Sequence, residues 1–358
     1  MSYVSAINTT VSYITSEATK DGDTQPSSLS VQFIYYTFLL LDIVSVPCSF
    51  IIFYYFIRSP ELRHQRESNH LIIHLLIGTS LVTAVDVPLI IPYLQNHYYI
   101  ASMAYPTRFC IFWIMYDYGM YSVNLWLMAF TGLERYLQIF HKQVILKNRI
   151  IRFCFYYLSS VLIITIVFFW YLYLVALYPC DQSQFDVTQM LCGFPCYKID
   201  TNILLQNIDW IFADLLPLFL AVFFILLLLA HTLYQRIKAN KHLIQQSIWK
   251  RTRKMILQLL PIATIFLIFN LPLITVGLLA ISNPWYNTTP YFYANCLSYG
   301  LALCMPFAIL SKQKLIRKRF ISLVRPNRMN RTTPQTRIVI PLHKFKQTVA
   351  ISKMDGDT

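Results

Sequence analysis

Residues 110–136 read CIFWIMYDYGMYSVNLWLMAFTGLERY. Cys110 opens the run, an aromatic and apolar stretch follows, and Glu134-Arg135-Tyr136 closes it. Cys110 and Arg135 lie 25 residues apart, about 37 Å at helical rise, which is roughly one bilayer with part of its headgroups. A single helix would therefore put the cysteine at one membrane face and the charged triplet at the other. Asp117 would then sit in the outer third of the span. An ionisable side chain at that depth is costly in lipid and marks a functional site by default.

The rest of the chain fits that frame. Its 358 residues are 56% apolar, 16% aromatic and only 13% charged, unlike an ordinary soluble domain. Seven apolar stretches are long enough to cross a bilayer, at about 31–57, 71–94, 109–133, 153–178, 203–232, 255–282 and 291–310. Backbone groups in lipid must be satisfied within each segment, so these are helices. The expected fold is an all-α membrane protein, a seven-transmembrane-helix bundle over residues 31–311. An extracellular, disordered N-terminus of residues 1–30 precedes it, without the apolar core of a signal peptide. Residues 312–324 follow as a basic amphipathic helix for anionic inner lipid, with Leu315, Ile316, Phe320 and Leu323 against Lys312, Lys314, Lys318 and Arg319. Residues 325–358 form a disordered cytoplasmic tail.

Charge sets the orientation. The net charge is +14, and 27 of the 30 basic residues fall on one side of the spans, leaving Lys20, Arg108 and Lys198 on the other. Positive-inside bias places the 27 in the cytoplasm, the N-terminus outside and the C-terminus inside, as for a multi-pass protein of the plasma membrane. The basic balance thus points to membrane lipids and excludes nucleic acid as a partner. Cys110, Cys180, Cys192 and Cys196 all fall outside, where disulfides persist, and four cysteines allow three pairings. Cys48, Cys154, Cys296 and Cys304 fall within spans and read as reduced packers. The glycosylation sequons at Asn8 and Asn287 are also outside.

A cysteine at the outer end of the third span and an acidic-Arg-Tyr triplet at its inner end resemble the third helix of rhodopsin-like (class A) G-protein-coupled receptors. The fifth-, sixth- and seventh-span prolines, Pro217, Pro272 and Pro306, match that family, as does Phe266. The resemblance covers about residues 31–324 and is divergent. The chain has Gly78-Thr79-Ser80 where the family has an aspartate, Asn270 where it has a tryptophan, and Met305 and Ile309 in place of an asparagine and a tyrosine. It implies that Cys196 or Cys192 bonds Cys110 and lays the loop across the pocket. It implies that Glu134 and Arg135 pair at rest, and that Arg135 contacts a heterotrimeric G protein when the sixth helix swings outward. Arg251-Thr252-Arg253-Lys254 stands where many members carry a second, acidic latch, so elevated basal signalling is expected.

No enzyme site is evident: there is no P-loop, no complete metal motif, no nucleophile elbow, and no cofactor is implied. His70 and His74, four apart, lack a third metal ligand and read as interfacial histidines. Asn124 and Asn270 read as structural glue of a small neutral network. Asp42, Asp86, Asp117, Asp209 and Asp214 stand out, all within predicted spans, with no basic residue at comparable depth and Arg108 the nearest. Carboxylates in low dielectric stay protonated or find a cation. The expected ligand is therefore an extracellular small molecule or peptide, a cationic amine or basic peptide. It would be contacted by Asp117, with Asp209, Asp214 and Asp86 as further contacts. Two other readings compete: a proton- or cation-coupled transporter, and a receptor-like protein that does not couple.

Overall fold

A computed structural model describes residues 28–58, 66–96, 106–140, 153–179, 185, 190–199, 203–239, 243–282 and 288–312. These residues belong to a unit spanning Met1–Arg317; a second unit, Lys318–Thr358, lies outside them. The described residues are almost entirely helical and contain no strand. Residues 313–324 of the predicted surface helix, the tail, residues 1–27, Cys180 and both sequon asparagines, Asn8 and Asn287, are outside the described residues.

In chain order, α1 is Ser28–Arg58, and α2 is Arg66–Leu81, which passes through a π turn, Val82–Asp86, into α3, Val87–Asn96. The long α4 is Pro106–Phe140. A π turn, Cys154–Leu158, leads into α5, Ser159–Tyr171, and a second, Leu172–Leu177, ends it. The loop beyond holds a short α6, Cys196–Ile199. Then α7, Ile203–Trp210, continues through a π turn, Ile211–Leu215, into α8, Leu216–Ala239. The series closes with α9, Leu243–Ser282, α10, Thr288–Ser298, and α11, Gly300–Lys312.

Apolar residues surround these helices on both sides. On α1, Leu29, Phe33, Tyr36, Leu40 and Ile43 recur every three or four residues along an exposed face, while Phe38, Ser45, Cys48, Ser49 and Ile52 are buried. On α8, Phe219, Phe223 and Leu226 are exposed and Leu218, Ala221 and Ile225 buried. A helix apolar all round belongs in hydrocarbon, with one face on protein and the other on lipid. Among the described residues, six helices are long and apolar enough to cross a membrane: Leu29–Arg58, His70–Gln95, Ser159–Leu177, Ile203–Tyr234, Leu259–Leu279 and Thr289–Ser311. The chain is a helical, membrane-embedded protein, and these spans agree with six of the seven predicted stretches.

Helix α4 is not among the six. It is 35 residues long but carries Asp117, Asn124, Glu134 and Arg135. It packs against α2, α5, α8 and α9, while α11 joins α1, α2 and α9. Along α4 only Phe112 is an exposed large apolar residue. A helix shielded by its neighbours can hold polar side chains that a lipid-facing helix cannot.

Two π turns precede prolines, Pro88 and Pro217. A helical proline offers no N–H and crowds the carbonyl four residues earlier, and one extra residue in the turn relieves that crowding. For Pro217 that carbonyl is Ala213, which accepts a long hydrogen bond from Ser122 Oγ at 3.4 Å. The adjacent Phe212 carbonyl accepts from Trp126 Nε1 at 3.2 Å. Side chains of α4 thus satisfy backbone groups near the Pro217 distortion.

Candidate ligand site and a second polar cluster

Three acids of the predicted set meet partners near one end of α4. Asp117 is buried and accepts a hydrogen bond from the Tyr299 hydroxyl at 2.5 Å. Tyr299 sits at the break between α10 and α11, where Gly300 makes room: a Cβ there would lie 2.3 Å from the Phe269 ring. Asp86, on the π turn ahead of Pro88, accepts from Trp113 Nε1 at 2.6 Å.

Asp209 is the third, 1% exposed. It accepts from Trp170 Nε1 at 3.0 Å and from the Tyr197 hydroxyl at 2.8 Å. Its Oδ2 also lies 3.9 Å from Lys198 Nζ. The sequence expectation of no basic residue near these acids is therefore corrected: Lys198 reaches Asp209 from the loop before α7. Asp214, on the Ile211–Leu215 turn, is partly buried and within the field of Lys198. On α1, Asp42 is partly exposed and its Oδ1 has no hydrogen-bond partner among the described residues.

The loop that brings Lys198 is tied down. Cys110 is disulfide-bonded to Cys192, which settles the choice between Cys192 and Cys196. Cys196 is disulfide-bonded as well, and Cys180 is outside the described residues. Cys48, Cys154, Cys296 and Cys304 are free thiols, as expected. Leu191, Cys192 and Gly193 have φ of 56°, 57° and 82°, a run of left-handed residues that only glycine adopts at little cost. The chain turns there, the Lys198 amide donates to the Pro195 carbonyl, and Gln206 Nε2 holds the Lys198 carbonyl at 3.0 Å. Lys198 Nζ lies 4.5 Å from the centre of the Tyr118 ring. Burial disfavours its ammonium, but the oxygens of Tyr197, Tyr118 and Asp209 outweigh that and hold its pKa well above the ordinary lysine value. Burial likewise pushes the Tyr197 hydroxyl well up. Lys198 was missed in sequence because only tertiary structure brings it near the acids; its place two residues after Cys196 was the available signal.

At the other end of α4, Glu134 is fully buried and Arg135 3% exposed. Gln138 links them, donating to Glu134 Oε1 at 2.5 Å and accepting from Arg135 at 3.2 Å. His70 Nδ1 lies 3.3 Å from the same Glu134 oxygen. His70 is buried against an acid, with its ring 5.8 Å from that of His74. No group of three or more metal-ligating side chains occurs among the described residues. Tyr136 packs on Phe140 and His231. Phe266 is buried in the core, and Pro272 and Pro306 lie inside α9 and α11. Side chains of residues 243–258, including Arg251, Arg253 and Lys254, are outside the described set.

The two asparagines occupy buried positions, each with its side-chain oxygen unpartnered among the described residues. Asn270 Nδ2 donates to the Phe266 carbonyl at 2.8 Å. Asn124 Oδ1 fills the space over Gly78, where a Cβ would lie 2.4 Å away. No protein-family model matches the chain, and no curated protein is significantly similar to it.

Proposed function

We propose that the chain is a divergent rhodopsin-like receptor, a seven-helix bundle with α4 as the seventh crossing, which passes extracellular ligand binding to a cytoplasmic G protein. The observation that carries this reading is the layout of α4. One unbroken helix joins Cys110, disulfide-bonded to the loop, to Asp117 on Tyr299 and, seventeen residues on, to the buried Glu134-Arg135 pair. Buried acids toward the outer end suit a cationic amine or basic peptide. A buried charged cluster at the inner end supplies a second arrangement for ligand binding to bias, by opening the inner ends of the helices. Glu134, Arg135 and Tyr136 form the coupling end, with Phe266, Pro272 and Pro306 within the helices that move.

The test is nucleotide exchange on heterotrimeric G proteins by purified protein in lipid nanodiscs, with a panel of amines and basic peptides. The expected result is exchange stimulated by at least one cation and lost in Arg135→Ala. No stimulation across the panel and the G-protein classes, with basal exchange equal to Arg135→Ala, would contradict the reading.

A further inference from the structure

The acidic outer site already holds a cation, and it is the chain's own. Asp209 has both carboxylate oxygens satisfied without Lys198, by Trp170 at 3.0 Å and Tyr197 at 2.8 Å. The ammonium sits further off, at 3.9 Å, with its side chain 27% exposed. It lies over Tyr118, the residue after Asp117, and its field reaches Asp117 and Asp214 as well as Asp209. An ammonium has three donors, more than this contact with Asp209 uses. The loop that carries it is fixed at Cys192, at Cys196 and through Gln206.

We propose that Lys198 is a tethered competitor: a built-in cation that occupies the Asp209 side of the acidic cluster and confines a singly charged ligand to Asp117 and Tyr299. The inference rests on the reading of this acidic cluster as a ligand site and adds the selectivity device to it. A like charge beside the ligand's own weakens every monocation that enters. Removing it therefore opens a second acidic seat and strengthens cation binding. Arginine in its place keeps the repulsion.

Two measurements on the full chain in nanodiscs test this. In the first, a water-soluble acetylating ester labels lysines, and mass spectrometry follows Lys198. It should react at least about tenfold more slowly than in detergent-denatured protein, and Asp209→Asn should speed it severalfold. In the second, calorimetry follows phenyltrimethylammonium, a cation that cannot react. Lys198→Ala should bind it about tenfold more tightly than wild type, Lys198→Arg as wild type does, and Asp117→Asn should abolish binding. Native Lys198 labelling as fast as the denatured protein would overturn the proposal. So would an unchanged or weakened affinity in Lys198→Ala, or no binding by any of these proteins. Labelling needs neither ligand nor G protein. A protected Lys198 with silent nucleotide exchange therefore counts against the receptor reading, and a freely labelled Lys198 with active exchange against the competitor alone.

Discussion

Asp117 was legible in sequence because a carboxylate in an apolar helical run has few bland explanations. Its partner Tyr299 was not, since that contact joins residues 182 positions apart. If the carboxylate meets a cation, Asp117→Asn should cut the response to a cationic agonist about 100-fold or more while surface expression is unchanged. Tyr299→Phe removes one hydrogen bond to a charged group and should cost about tenfold. Dose–response curves for both variants check this, and equal potency with wild type would refute the contact. Trp113→Phe tests Asp86 separately. It leaves a buried oxygen without its donor and should destabilise the protein by about 1–3 kcal/mol in thermal unfolding. Lys198 supplies a pH prediction. Its pKa is raised in the fold, so its charge-dependent stabilisation is complete below the unfolded lysine value of about 10.4 and fades only as pH rises past the folded one. The stability difference between wild type and Lys198→Ala should therefore stay flat from about pH 6 to 9.

Hydropathy exposed six helices among the described residues because each carries a long apolar run. Helix α4 was legible as the apolar stretch at 109–133 and again by the spacing of Cys110 and Arg135, although its polar groups keep it out of the six. The π turns were not legible. Pro217 announced a distortion, but its form depends on which neighbour receives the freed carbonyl, here Ser122. Ser122→Ala should cost about 1 kcal/mol, and less in a Pro217→Ala background, where the restored N–H can reach the Ala213 carbonyl. A double-mutant cycle in thermal unfolding measures that difference, and additivity would reject the pairing. The loop disulfide was expected from Cys110 to either Cys196 or Cys192, and the structure makes it Cys192. Cys110 and Cys192 are 82 residues apart, and chain-entropy reasoning puts such a link at about 4–5 kcal/mol. Cys110→Ser should lower thermal stability accordingly and deprotect Lys198 in the labelling experiment.

At the level of the molecule, a ligand at Asp117 can influence Arg135 only through a bundle with two arrangements, and α4 supplies the rigid link. His70 against Glu134, Gln138 bridging to Arg135, and the break at Tyr299 are the places where such a bundle could rearrange. All of this requires that the two ends of α4 lie on opposite sides of the membrane. The decisive measurement is the sidedness of Arg108→Cys and Lys142→Cys, probed with a membrane-impermeant maleimide in cells, with the wild-type chain as blank. The expected outcome is that position 108 labels in intact cells and position 142 only after permeabilisation. Labelling of both positions from the same side would contradict the crossing of α4 and the receptor reading built on it.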